Sequence, residues 1–130
     1  MDVLLAFELL EAARWITFLK PGGLVIANTQ RLVPMSVMTA DAIYPPDDAI
    51  SAALRQVTES VQLVDGLGKA EALGSTRLVN TVLLGALSAH LDIEPAVWLS
   101  VIERRVPPKY VEMNRAAFWA GRQVYPTTAG

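Results

Sequence analysis

Glu8 and Glu11 are the first residues whose types and spacing suggest chemistry. Glu8 follows the apolar run Val3 to Phe7. If that run is a strand, Glu8 lies at its carboxyl end, where open α/β sheets bind ligands. The same pair also suits the first turn of a helix, whose dipole favours negative charge. Asn28 and Thr29 follow a second apolar run, Leu24 to Ala27, and would flank Glu8. Asp65 ends a third run that begins at Val61. On a parallel sheet Glu8, Asn28, Thr29 and Asp65 are expected to line one crevice. Asn80 sits in the most apolar stretch of the chain, and a buried amide there needs partners, from a nearby loop or from a ligand. Asp47 and Asp48 read as a solvated helix start, and Arg104, Arg105 and Lys109 as a solvated basic face or a contact for an acidic partner or a phosphate-bearing ligand.

Composition removes several kinds of chemistry. The 130 residues include one histidine and no cysteine. Thiol nucleophiles, disulfides, cysteine-held iron–sulfur clusters and Cys-type zinc sites are therefore absent from this chain. His90 by itself cannot supply the several imidazoles of a zinc enzyme. Eleven basic and thirteen acidic residues give a formal charge of −2 with no basic patch, which argues against a nucleic-acid partner. Gly66-Leu67-Gly68 follows a strand but lacks the third glycine of a dinucleotide loop, and reads as a plain turn. No apolar stretch is long enough for a membrane span, and no basic segment precedes Val3 as in a signal peptide, so the cytoplasm is the expected compartment.

The elements that must position these residues follow from periodicity. Val3 to Phe7 is a strand that reads as central because it is apolar throughout, with an ordinary edge strand as the alternative. Glu8 to Leu19 is a helix with Leu9, Ala12, Ala13, Ile16 and Leu19 on one stripe. Lys20-Pro21-Gly22-Gly23 stops it, and Leu24 to Ala27 is the second strand. Strand, helix, turn and strand make a βαβ unit with a parallel sheet. Pro34 demotes a short apolar stretch, Val33 to Thr39, and Tyr44-Pro45-Pro46 punctuates the chain. A helix from Asp48 to Ser60 carries Ile50, Ala53, Leu54 and Val57. After the third strand, Gly66 to Leu73 is a short helix stopped by Gly74, and the rest is helical. Ser75 or Thr76 caps a buried helix to about His90, in which Thr81, Gly85 and Ala89 form a small ridge that another backbone can approach. Pro95 to Arg105 and Pro108 to Ala120 follow, with Gly121 as the stop and Tyr125 to Gly130 frayed. Trp98, Phe118 and Trp119 are expected in the core, with Trp119 also a possible interface anchor, and His90 near a helix C-terminus reads as dipole-favoured or as a surface residue. The expected fold is α/β: a three-layer, Rossmann-like parallel sheet with a helical C-terminal half, in a single domain over residues 1–130.

The ordered motifs resemble a known family. Asp2-Val3-Leu4-Leu5-Ala6-Phe7-Glu8 with Glu11-Ala12, Leu19-Lys20-Pro21-Gly22-Gly23 and Val25-Ile26-Ala27-Asn28-Thr29 carry the resemblance. So do Tyr44-Pro45, Ala72-Leu73-Gly74, Asn80, Leu84-Gly85-Ala86, Glu112, Asn114, Ala117, Phe118 and Gly121. Together they resemble the gamma-type domain of 2-oxoacid:ferredoxin oxidoreductases, in particular the branch of indolepyruvate oxidoreductase beta subunits. The resemblance implies a subunit that supports coenzyme A-dependent oxidative decarboxylation of a 2-oxoacid, indolepyruvate or another aryl-pyruvate, with electrons passing to ferredoxin. It implies a large partner subunit that holds thiamine diphosphate and iron–sulfur clusters, while this chain holds no cofactor of its own. It assigns no catalytic residue. Family members normally begin with a glycine-rich strand–turn–helix segment that is missing before Asp2-Val3, which suggests a truncated chain whose exposed sheet edge is covered by a homo-oligomer or another subunit. The other function class is a stand-alone Rossmann-like binding or interaction module without catalysis.

Overall fold

The computed structural model describes residues 1–29 and 47–123. The expectations for Val33 to Thr39, for Tyr44-Pro45-Pro46 and for the tail from Tyr125 lie outside those residues, as do the side chains of Asp47 and Asp48. The chain forms two compact units, residues 1–63 and 64–130.

In the first unit, β1 (Val3–Ala6) leads into α1 (Leu9–Trp15), a 3-10 turn (Ile16–Phe18) and β2 (Leu24–Asn28). β1 and β2 are parallel, with Val3 opposite Leu24 and Ala6 opposite Ala27. The turn between helix and strand is closed by the backbone: Lys20 N–H donates to Met1 O at 2.9 Å and Leu24 N–H to Asp2 O at 3.0 Å. Gly22 takes φ +78° there, a conformation with little cost only without a Cβ. Lys20 also pairs with Asp2 at 3.1 Å, and its hydrogen bond and charge hold the Asp2 carboxyl below the usual range. α2 (Asp47–Arg55) and β3 (Val61–Val64) follow.

Alternation along the strands places Leu4, Ala6, Val25 and Ala27 in one apolar cluster with Leu9, Ala12, Ile16 and Leu19 of the first helical segment and Ile50 and Leu54 of α2. This bears out the stripe expected for the first helix. Two expectations are corrected. The strand order is β1-β2-β3, so β2 is the central strand and β1 an outer one among the described residues. Apolarity over five residues does not separate these cases, whereas burial does: Val25, Ile26 and Ala27 are fully buried, while Val3 and Leu5 are only half-buried. α2 is also shorter than Asp48 to Ser60, and Ala53 is exposed. Past the end of α2, buried Thr58 is tied to the turn before β2: its hydroxyl donates to Gly23 O and accepts from Ser60 N–H at 3.0 Å.

In the second unit, α3 (Gly66–Ala72) stops at Gly74, whose φ of +105° an L side chain rarely adopts. Ser75 accepts from Arg77 N–H at 3.2 Å and caps a 3-10 turn (Thr76–Leu78) that runs into α4 (Val79–Ser88). α5 (Pro95–Arg105) opens on its proline. A 3-10 turn (Pro108–Tyr110) leads into α6 (Val111–Arg122). Leu99, Ile102 and Phe118 form a buried cluster against half-buried Trp98 and Val106. Trp119 is 39% exposed, so it lies outside the core where the sequence placed it.

The small ridge on α4 does what its composition suggested. A Cβ on Gly85 would stand 2.0 Å from Phe118 O, and one on Gly121 would stand 1.8 Å from Val82 O. The backbones of α4 and α6 therefore touch at reciprocal glycines. Gly121 is not a helix stop, because α6 continues to Arg122. Its role is steric, and only the partner helix reveals it. No described helix is long and apolar enough to cross a membrane.

Candidate functional site

Two places hold the polar residues of interest, one in each unit. At the carboxyl ends of β1 and β2, the parallel register brings Glu8 and Asn28-Thr29 just past the paired residues Ala6 and Ala27. Glu8 is the extended residue before α1, and its carbonyl accepts from Ala12 N–H at 3.2 Å; its side chain makes no capping bond. Asn28 is buried and Thr29 half-buried, and both Glu8 and Asn28 have interaction partners. Glu11 turns away from this group, its carboxylate accepting from Arg14 at 2.6 Å and from the Trp15 indole at 3.2 Å.

Asp65 belongs to the second unit. It is exposed and accepts from Gly68 N–H at 2.9 Å, capping α3. The segment Gly66-Leu67-Gly68 is the first turn of that helix, and a Cβ on Gly68 would stand 2.2 Å from the Asp65 carboxylate. The turn therefore wraps around a side chain of the protein itself.

Asn80 corrects the sequence reading. It lies on the exposed side of α4 rather than in its core. The buried amide is Asn114 on α6: its oxygen accepts from the Thr81 hydroxyl at 2.7 Å and its nitrogen donates to Tyr110 O at 2.9 Å. Both ends of the amide are satisfied, as burial requires. Asn80, Thr81 and Asn114 then line a cleft of about 660 Å³. Ser75, Arg77 and Tyr110 complete its polar lining; Gly74, Leu78, Val106, Pro107 and Met113 supply the rest. The guanidinium, hydroxyls and amides of this lining can bind and orient a ligand through charge and hydrogen bonds.

Sequence reasoning missed Arg77, Tyr110 and Met113, since no motif joins positions separated by thirty residues and two turns. It also missed a pair on the first unit. Trp15 and Phe18 are 50% and 59% exposed, with ring centroids 5.4 Å apart. Their offset from the Leu9–Ala12–Ile16–Leu19 stripe was the available signal. Among the other candidates, Arg104 and Lys109 stay exposed, Arg104 donating to Ser100 O and Lys109 lying over the Tyr110 ring. His90 is half-buried past the end of α4, and burial holds its pKa below the ordinary value, the opposite of a dipole effect. Among the described residues no group of three or more His, Cys, Asp and Glu side chains could hold a metal ion.

The profile of the family "Pyruvate ferredoxin/flavodoxin oxidoreductase" matches residues 1–124. The chain is 34% identical over 122 residues to the indolepyruvate oxidoreductase subunit IorB of Archaeoglobus fulgidus, covering 92% of this chain and 61% of that protein. It is 36% identical over 123 residues to the IorB subunit of Pyrococcus horikoshii, with the same coverages. The chain thus spans about three-fifths of the length of these curated relatives. In fold it is similar to the gamma subunit of a keto/oxoacid ferredoxin oxidoreductase from Geobacter sulfurreducens, with a TM-score of 0.66, 22% identity, and coverage of 95% of this chain and 63% of that one. It is also similar to a 2-oxoglutarate:ferredoxin oxidoreductase from Magnetococcus marinus, solved with 2-oxoglutarate, coenzyme A and succinyl-CoA bound, with a TM-score of 0.68, 21% identity, and coverage of 98% and 20%. The first unit's parallel strands, the helical second unit and these matches agree: the chain belongs to the pyruvate ferredoxin/flavodoxin oxidoreductase family.

Proposed function

We propose that this chain is the small, gamma-type subunit of a cytoplasmic 2-oxoacid:ferredoxin oxidoreductase whose substrate is indolepyruvate or another aryl-pyruvate. The observation that carries this reading is the identity of 34–36% with IorB subunits across 92% of the chain. The holoenzyme's thiamine diphosphate and iron–sulfur clusters belong on a larger partner. A chain without cysteine does not fit a thiolate-held cluster. Coenzyme A is the acyl acceptor of the proposed reaction, and ferredoxin meets the complex through the larger subunit.

Two surface features support a subunit role. β1 is an outer strand among the described residues, which leaves backbone groups available for pairing with another chain. Trp15 and Phe18 add an exposed aromatic pair in the same unit, of the residue types enriched at interface centres. Isolated from its partner, the chain is expected to self-associate through these features.

The test is a tagged pull-down from the native extract, with mass spectrometry and a visible spectrum of the eluate. A large partner with broad absorption near about 400 nm, the colour of cysteine-bound clusters, is the expected result. A colourless self-oligomer with no partner would overturn the reading in favour of a stand-alone binding module.

A further inference from the structure

α5 is apolar on two sides. Its inner side carries Leu99 and Ile102, buried in one cluster with Phe118. Its outer side carries Val97 and Val101, one turn apart and 52% and 41% exposed, with exposed Ile93 one turn before Val97. A helix that only covers its own core shows one apolar stripe and a polar opposite side. β-branched residues also lower helix propensity, so α5 gains nothing locally from valines that face outward.

The same side carries opposite charges at its two ends. Glu94 precedes the first helical residue, is exposed, and its side chain makes no capping bond. Arg104 and Arg105 stand exposed in the last turn. At about 3.6 residues per turn, Glu94, Val97, Val101, Arg104 and Arg105 share one arc of the helix. Their order is symmetric about the level of Leu99: turning the helix end for end exchanges Val97 with Val101, and Glu94 with the two arginines. A second α5 running antiparallel therefore sets valine on valine at the centre and carboxylate beside guanidinium at both rims. A parallel copy would set like charges together at each end, which is repulsive.

We propose that the outer side of α5 is a homotypic docking surface, on which a second copy of this chain packs its own α5 antiparallel about a two-fold axis level with Leu99. The proposal uses residues 93–105 alone, so it is independent of the oxidoreductase reading and of the strand edge and aromatic pair in the first unit. One helix face lies at the small end of specific interfaces, so the contact is reversible, with a dissociation constant in the micromolar range.

The experiment exploits a chain without native cysteine. Val97→Cys and Val101→Cys are made separately in the full chain, both at exposed positions, and mixed under mild oxidation. The mixed disulfide is expected to form at least about fivefold faster than either like-with-like link, because only the antiparallel register brings the two positions side by side. Sedimentation velocity then follows self-association of the uncrosslinked chain. Val97→Glu weakens it at least about tenfold with an unchanged circular dichroism spectrum. Glu94→Arg also weakens it, and adding Arg104→Glu with Arg105→Glu restores it. Equal rates for the three disulfides, or a triple variant as weak as Glu94→Arg, overturn the antiparallel register. Self-association unchanged by Val97→Glu overturns the surface, since the copies then meet elsewhere. A chain that stays monomeric at about 100 µM overturns the proposal outright. Loss of a different co-purifying polypeptide in Val97→Glu, with self-association unchanged, overturns the second copy as the occupant.

Discussion

The two units keep their helices in place by different means. In residues 1–63, α1 and α2 meet the strands through interlocking aliphatic side chains, with Leu9, Val25 and Leu54 almost wholly buried. In residues 64–130, α4 and α6 meet backbone to backbone, with Val82 O seated on Gly121 and Phe118 O on Gly85. Side chains in the first unit can change rotamer to absorb a change in shape. The second unit has no such reserve at its tightest point, because neither a carbonyl nor a helix axis rotates out of the way. Around the glycine contact a short polar chain adds a further tie: Arg122 donates to Ser88 Oγ at 3.0 Å, and Ser88 donates to Gly85 O at 2.7 Å. The contrast separates tolerance from size, since the smallest residues in the molecule occupy its least forgiving positions.

The largest effect should follow from the smallest addition. Gly121→Ala adds one methyl group against a main-chain carbonyl, and a loss of about 3 kcal/mol or more is expected, at the upper end of overpacking costs. Urea unfolding measures it, and hydrogen exchange should place the lost protection in α4 and α6. A loss below about 0.5 kcal/mol, the scale of an ordinary surface substitution, would break the comparison. Leu54→Met in the first unit is the matched control. It alters the shape of a fully buried side chain at nearly constant volume, and a cost under about 1.5 kcal/mol is expected. If the two substitutions cost the same, the distinction between an adaptable core and a rigid one fails.

The smallest effect concerns pH. Burial holds the His90 pKa below 6.5 in the folded chain. As pH falls, the unfolded chain takes up this proton first, so stability declines below pH 6.5 until the folded state also binds it. His90→Gln should flatten that limb of a stability–pH curve below about pH 6.5. Because His90 is only half-buried, the change should be modest. A slope unchanged by the substitution would show that His90 titrates alike in both states.

Local chemistry made much of the first unit readable. Continuous apolar runs, a stripe of period 3.6 and a Pro-Gly-Gly turn act over fewer than about twenty residues, and together they dictate a βαβ unit. The same holds for Ser75 as a cap, Pro95 as a first helical residue and Gly74 as a stop. The candidate sites were less legible. Glu8 and Asn28-Thr29 follow from strand ends, which periodicity locates. The cleft does not follow, because Arg77, Asn80, Tyr110 and Met113 share it only after two helices have packed.

By itself, the sequence determined the element types, the parallel β1–β2 crossover, the exclusion of thiol chemistry and the ordered motifs by which the family was recognised. These properties depend on residue type and near-neighbour spacing. Tertiary structure alone decided that, among the described residues, β2 rather than β1 lies at the centre of the sheet. It also decided that Thr58, past α2, bonds to Gly23, that Asn114 is buried while Asn80 faces solvent, and that Gly121 is a contact and not a stop. Each of these depends on which surface arrives from a distant part of the chain. An apolar run, an amide or a glycine has the same local preferences whatever covers it, and only the covering element determines which preference is satisfied.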